Sequence, residues 1–434
     1  MKYFKLFVCV ILIVALFSGC SFRLASSVND LISAVAPFGD NADVKSALDS
    51  FMTNGYSLKN PSSGEYITSY NFYDLDGDDK EEAVAFYEPN DNLGTIRMAI
   101  IKEYSGKWKV VSDITGYGDD AYRLDFADVN NDGKDEILVC WNTISNSNSH
   151  SFVVYNIKFE DKKFVINQIN NEDIYLNNYV IVDFKQNGNN EILMFEINSG
   201  TKTSAKAELY SVNNNEFKLK GETKLDSRVI SYRNINVEKA EGDIRVYADA
   251  IGSNGASIRT EVIYWSNMYN SIVSPFYSYS TGRTSGTSRG CLVNSSDIND
   301  DDRIEIPTDA SLKKLPKNIK SLNWKIYNKT ILVHKAYSLY VIDDNYNIII
   351  PDEYFKNISA VYNSDLREMT VINKQTKKSV FSIMPVLKAV YDEKTYQGYN
   401  IILDKSGYYY LAKAGNDKDI EISVDDLKQY IKIC

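Results

Sequence analysis

The feature that most constrains this chain is a nine-residue acidic turn that leads into an apolar strand and recurs at near-constant spacing. Asp74, Asp76, Asp78 and Glu82 hold positions one, three, five and nine of the first turn. Asp128, Asn130, Asp132 and Glu136 hold them in the second, Asp183, Lys185, Asn187 and Glu191 in the third, and Asp297, Asn299, Asp301 and Glu305 in the last. The first residues lie 54, 55 and then 114 positions apart. The last interval is two steps, so the pattern predicts five units, the fourth of which has lost its turn near 236–244 and kept only its strand. A period of this length marks a structural repeat whose units cannot bury their faces alone.

Each unit carries the same run of strand-like segments, rich in β-branched and aromatic residues. In the first they fall at 82–87, 97–103, 107–114 and 122–129, and in the second at 136–141, 151–159, 163–169 and 179–184. Four strands per unit predicts a mainly β fold, a β-propeller of about five four-stranded blades over 56–342. Residues 66–73 match the last strand of the other units, and the fifth unit, 303–342, lacks that strand. Segment 66–73 is therefore expected to complete the fifth blade and close the ring, with an open, two-layer β array as the alternative.

Oxygen ligands gathered by one tight turn are what Ca²⁺ requires, and Gly77, Gly133 and Gly188 permit the bend. The recurring turn resembles that of FG-GAP (VCBS) repeats, the calcium-loop blades of integrin-like propellers. The resemblance implies structural Ca²⁺ held by Asp74, Asp76, Asp78 and Glu82, by Asp128, Asn130, Asp132 and Glu136, and by Asp297, Asn299, Asp301 and Glu305. Lys80, Lys134 and Arg303 would contribute only carbonyl oxygens. Glu stands at position nine, where the family more often has Asp, and Lys185 and Asn187 leave the third turn without a site. An EF-hand would need a carboxylate at position twelve, where Ala85 and Val139 stand. Asp, Asn and Gly also simply make good turns.

At the amino terminus Lys2 and Lys5 precede an apolar run at 6–17, too short to span a bilayer comfortably. It ends in Leu16-Phe17-Ser18-Gly19-Cys20, which resembles the lipobox of bacterial lipoproteins. That implies a signal peptide at 1–19, diacylglycerol on Cys20, and a protein anchored by lipid to the cell membrane on its extracytoplasmic face. Cys140, Cys291 and Cys434 are the other cysteines beyond the signal, an odd number that argues against a disulfide framework. A net charge of −10 argues against nucleic acid as a partner.

Residues 20–55 read as a tether and a short helix at 41–54, with Val44, Leu48 and Phe51 on one face. Beyond 342 the pattern changes to strands at 358–362, 368–373, 379–385, 397–403 and 407–412 and a helix at 424–431 with Ser423 as its cap. This small α+β domain, 343–434, resembles the PsbP-like domain of clostridial lipoproteins. His150 is expected to face solvent and His334 to lie in an alternating strand, neither beside a nucleophile or metal motif. Residues 278–290 are hydroxyl-rich and locally basic, so Arg283 and Arg289 are candidates to read an anionic ligand. The functional expectation is a non-catalytic binding or scaffolding module for a surface protein or glycan. The alternative, a glycan-active hydrolase or lyase, would need a carboxylate pair away from the repeat turns.

Overall fold

A computed structural model describes residues 39–143, 146–160, 163–169, 173–198, 204–213, 215–240 and 242–433. Cys20, the expected signal peptide and nearly all of the tether lie outside these residues.

The protein is mainly β, built from successive antiparallel sheets. The first sheet pairs Glu82–Pro89 with Arg97–Tyr104 and that with Lys107–Thr115, while Tyr56–Lys59 and Asn71–Tyr73 share the outer edge of Glu82–Pro89. The second runs Asp120–Ala127, Glu136–Thr143, Asn146–Glu160, with Lys163–Gln168 and Ile174–Leu176 on its far side. The third is Asn178–Val182, Glu191–Asn198, Ser204–Asn213, Glu216–Leu225, and the fourth Val229–Ala240, Asp243–Gly252, Ile258–Ser266, Ser271–Val273. The first acidic turn joins Asn71–Tyr73 to Glu82–Pro89, the second and third turns join the first two strands of their own sheets, and the last leads into Glu305–Asp309 with only a single bridge, Ser296 to Glu305, across it. The strand placed last in a unit by sequence, such as 122–129, opens the following sheet instead. A tight turn returns the chain beside itself, so antiparallel neighbours form across it.

Alternation along the central strands explains their unbroken apolar character. Val84 and Phe86 pack against Ile137, Val139 and Trp141 of the second sheet, while Ala83, Ala85 and Tyr87 pack under a helix, Asp40–Phe51. Leu138 and Cys140 face Ile192 and Met194 of the third sheet, whose Leu193 and Phe195 face Val246 and Ala248 of the fourth. Tyr247 and Val262 of the fourth meet Ile306 and Tyr327 of the fifth. Both faces of each strand are buried, so period-two polarity vanishes from the sequence.

The ends of this stack depart from expectation. Asn71–Tyr73 pairs with Val84, Ala83 and Glu82 in the first sheet, so segment 66–73 does not complete the fifth. The fifth sheet, Glu305–Asp309, Ile319–Asn328, Ile331–Val341 and Tyr346–Ile350, takes its outermost strand from the opposite end of the chain, Ile431–Ile433. Among the described residues no apolar cluster joins the first sheet to the fifth. Helix Asp40–Phe51 covers the first sheet with Val44 and Leu48, and Phe51, expected on the same face, is 46% exposed. The free face of the fifth sheet packs Ile319, Leu339 and Val341 against the last sheet. That sheet runs Ile358–Asn363, Glu368–Asn373, Ser379–Leu387, Tyr408–Ala414, Asn400–Lys405 and is braced by helix Val424–Tyr430. Ser423 caps this helix in a reciprocal capping box with Asp426. None of the helices is long and apolar enough to cross a membrane, among the described residues.

Candidate functional site

The acidic turns share one rim of the stack and are tied to one another. Tyr73, just before the first turn, donates to Asp135 of the second. Asn190 of the third reaches back to the Asp128 carbonyl at 2.9 Å and to Asn131 Oδ1 at 3.0 Å. Gln186 donates to the Gly242 carbonyl of the turn-less fourth unit, and the Ile304 amide donates to Glu238 Oε2 of that unit at 2.7 Å.

The four turns share one backbone design. Positions four and six take positive φ throughout: Gly77 (74°) and Asp79 (64°), Asn131 (62°) and Gly133 (86°), Gln186 (50°) and Gly188 (82°), Asp300 (61°) and Asp302 (62°). Glycine serves one of these positions in the first three turns, and Asn, Asp or Gln serves elsewhere. The first carboxylate closes each turn: Asp74 accepts from Gly77 and Asp79, Asp128 from Asp132 and Gly133, Asp297 from Asp301 and Asp302. Position nine is anchored the same way in three turns. One oxygen of Glu82, Glu136 and Glu305 accepts from the amide of Leu75, Val129 and Ile298, at 2.9, 3.0 and 3.1 Å.

What differs is the partner of the other oxygen. In the first turn Asp74, Asp76 and Asp78 bring one oxygen each within 4.8 Å of one another, a geometry that can hold a metal ion. The ammonium of Lys102, directly across the ladder from Glu82, stands there: 3.1 Å from Asp76, 3.0 Å from Asp78 and 2.5 Å from Glu82. Burial works against its charge, but Glu82 and the two aspartates prevail and raise its pKa. In the second turn the same ladder position is Asn156. Glu136 Oε1 accepts from its amide at 3.1 Å and from that of Asn130 at 2.6 Å. In the last turn the second oxygen of Glu305, a fully buried residue, meets no donor. Burial, aggravated in each case by two aspartates of the turn, pushes Glu136 and Glu305 up to about 7. Glu136 and Glu305 themselves therefore pair with no cation among the described residues, although Lys335 lies 3.4 Å from Asp301 of the last turn; a divalent cation relieves that condition. In the third turn Glu191 also has an oxygen without a partner, but Lys185 has left the turn to lie 4.3 Å from the ring centre of Trp265.

The basic segment 278–290 is not the open loop its composition suggests. Arg289 is 1% exposed and spans Asp249 (2.8 Å), Thr260 (2.9 Å) and the Val293 carbonyl, so it is a buried ion pair and not a ligand reader. Arg283 stays exposed, while its neighbour Thr284 pins the segment to Asp226 and Glu261. Arg228 and Arg259 also grip Asp226; burial would raise its pKa, yet these cations hold it at about 2. Glu261 is buried, and loss of solvent pushes it up to about 7. His150, expected in solvent, is 3% exposed: it stacks on Tyr122 at 3.5 Å and its Nδ1 bonds Asn142, and burial lowers its pKa to about 4. His334 bridges Asn323 and Asp352.

Lys102 and the Asp226–Glu261–Asp249 network escaped the sequence reading. The first had a signal, a lysine twenty residues after Glu82 directly following the apolar run 98–101; the second is assembled only by the fold. No family model and no curated protein matches the chain. Among solved structures it is similar to an exotype rhamnogalacturonan lyase, YesX, at 11% identity and a TM-score of 0.29, covering 75% of this chain and 65% of that one.

Proposed function

We propose that this chain is a bacterial lipoprotein held by acylated Cys20 on the extracytoplasmic face of the cell membrane. In this reading its first five sheets are propeller-type blades of the FG-GAP/VCBS kind, stacked as a non-catalytic binding or scaffolding module for a surface protein or glycan, with a PsbP-like domain behind them. Structural Ca²⁺ belongs to the second and last turns, through Asp128, Asn130, Asp132 and Glu136 and through Asp297, Asn299, Asp301 and Glu305. In the first turn Lys102 supplies the positive charge instead.

The observation that supports a non-catalytic role is the fate of the buried acids away from the turns. Asp226, Glu238, Asp249, Glu261, Asp344 and Asp417 are each bound by arginines, hydroxyls, amides or backbone N–H groups. Asp226, Asp249 and Glu261 are sealed from solvent. An acid pair for glycan cleavage must reach the glycosidic oxygen and carbon, and these cannot. The test is a binding screen of the purified protein against cell-wall glycans and surface proteins, with assays for new reducing ends and unsaturated products alongside. Saturable binding without product is expected; turnover of any glycan would establish the enzyme alternative. Loss of detergent-phase partitioning and of palmitate labelling in Cys20→Ala checks the anchor.

A further inference from the structure

The fourth unit lacks an acidic turn, and its missing turn leaves a cleft. Its first two strands reverse within a tight hairpin, Ala240 pairing with Asp243, where the neighbouring sheets project nine-residue turns. The gap on the rim is a cleft of about 540 Å³ between the third turn and the hairpin that follows Asn328. Its walls carry Lys185, Asp243, Arg245, Trp265 and Lys329, with Ser266 and Asn267 at one end.

These walls combine cations with an indole. Lys185 stands at the turn position held by Asp76 and Asn130 in the units before it, and its ammonium lies over the Trp265 ring instead of in its own turn. Arg245 is held rigid, bonded to Glu238 at 3.0 Å and to Asp243 at 3.1 Å, with its guanidinium 5.4 Å from the ring centre of Tyr327. Lys329 sits at the hairpin tip with φ 56° and is exposed. Among the described residues the walls thus carry three cations and one carboxylate, Asp243, with Glu238 behind them paired to Arg245, in a protein of net charge −10. Beside them are an indole and short hydroxyl and amide side chains, the combination that meets the apolar face, the hydroxyls and the carboxylate of a sugar acid. A bare phosphate would use the cations and leave Trp265 idle.

We infer that this cleft binds an acidic saccharide, the Lys185 ammonium swinging off the Trp265 ring to pair with its carboxylate beside Lys329 and the sugar's ring face taking the place that Lys185 vacates. This inference rests on the non-catalytic binding reading and supplies its ligand class. The test is calorimetric titration of the full-length protein in detergent micelles with a glucuronate-containing oligosaccharide, a neutral oligosaccharide of equal length, and inorganic phosphate. The acidic sugar should bind at least tenfold more tightly than the other two. Lys185→Ala and Lys329→Ala should each weaken it by roughly tenfold, the loss of one charge-assisted contact. Trp265→Phe, which keeps the packing, should weaken it less than Trp265→Ala. Equal binding of the neutral sugar, equal binding of phosphate, no binding of any probe, or indifference to both lysine substitutions overturns the inference. Binding of another glycan or protein that ignores these substitutions leaves the binding reading standing and removes this site. Turnover of the acidic sugar that depends on Lys185 would keep the site and remove the non-catalytic reading.

Discussion

Replacing Lys102 with Met tests whether the first turn runs on a tethered cation. The lysine side chain is 6% exposed and its partners Glu82, Asp76 and Asp78 are 0%, 9% and 45% exposed. At about 3 Å and an effective dielectric near 20, one such contact is worth roughly 5 kcal/mol of Coulomb energy, against which the desolvation of both ions must be set. The half-exposed Asp78 adds little after solvent screening. Removing one member of a buried pair typically costs about 3–5 kcal/mol, because the remaining charge stays buried without a partner. Methionine keeps the volume of the lysine stem, so packing contributes little to the loss. Urea unfolding at pH 8 should show the free energy of the first transition lowered by that amount, read as a lower midpoint at unchanged slope. Two further signatures separate this from ordinary core damage. The deficit should shrink as pH falls toward 5, because a Glu82 stripped of its counter-ion protonates readily. It should also shrink in millimolar Ca²⁺, with one more bound ion than in the parent protein. A loss below about 1 kcal/mol, or an unchanged ion count, would refute the reasoning.

The last turn gives the complementary case. Ca²⁺ should raise the melting temperature of the unaltered protein, a chelator should reverse the gain, and Glu305→Gln should remove much of it while Glu82→Gln removes none. A melting temperature indifferent to chelator ends the calcium reading. Glu261 gives a pH signature of its own. Its carboxyl is raised to about 7 in the folded protein from an ordinary 4.5, so the folded state binds the extra proton between these values and stability falls as pH rises through that window. The span corresponds to roughly 3 kcal/mol. Glu261→Gln, which cannot ionise, should flatten that fall in denaturation measured from pH 5 to 8; an unaltered slope would assign it to other groups.

The period of the acidic turns and the strand runs were legible because each turn must reverse the chain with its own residues. Even there, the sequence makes Gly77 and Gly133 look equivalent, although they fill two different left-handed positions, with Asp79 and Asn131 completing the pairs. Segment 122–129 pairs across its turn with Glu136–Thr143 and not with the unit before it, a choice that a strand's own sequence does not encode. Sequence alone makes Arg289 a ligand candidate and places His150 in solvent, because polar residues usually are exposed. Both are buried, and their partners Asp249 and Tyr122 lie 40 and 28 residues away in sequence, brought together only by the sheets. Position nine is a glutamate in all four turns, but the fate of its second oxygen depends on whether Lys102, Asn156 or no donor stands across the ladder.

How the stack ends decides whether its parts are separable. A repeat array buries its inner units against neighbours but must cover its two outermost faces by other means. Here the cover at one end is a short helix and at the other the whole region after Ile350. The sequence places a domain boundary at 342–343, yet the fifth sheet continues through Tyr346–Ile350 and takes Ile431–Ile433 as its edge. The same cluster joins Ile319, Leu339 and Val341 to Phe381, Ile383 and Leu427. A chain ended after residue 342 would expose these three side chains, now 0–2% exposed, together with the unpaired edge of Ile331–Val341. At about 1.5–3 kcal/mol for each large apolar side chain, the three together cost roughly 4.5–9 kcal/mol, comparable to the whole margin of an ordinary domain, about 5–15 kcal/mol. The shortened protein should aggregate or lose protection of its fifth-sheet amides in hydrogen exchange, while the first three sheets, whose contacts are remote, keep theirs. A soluble, fully protected 1–342 protein would show that the boundary read from the sequence is also the boundary of folding.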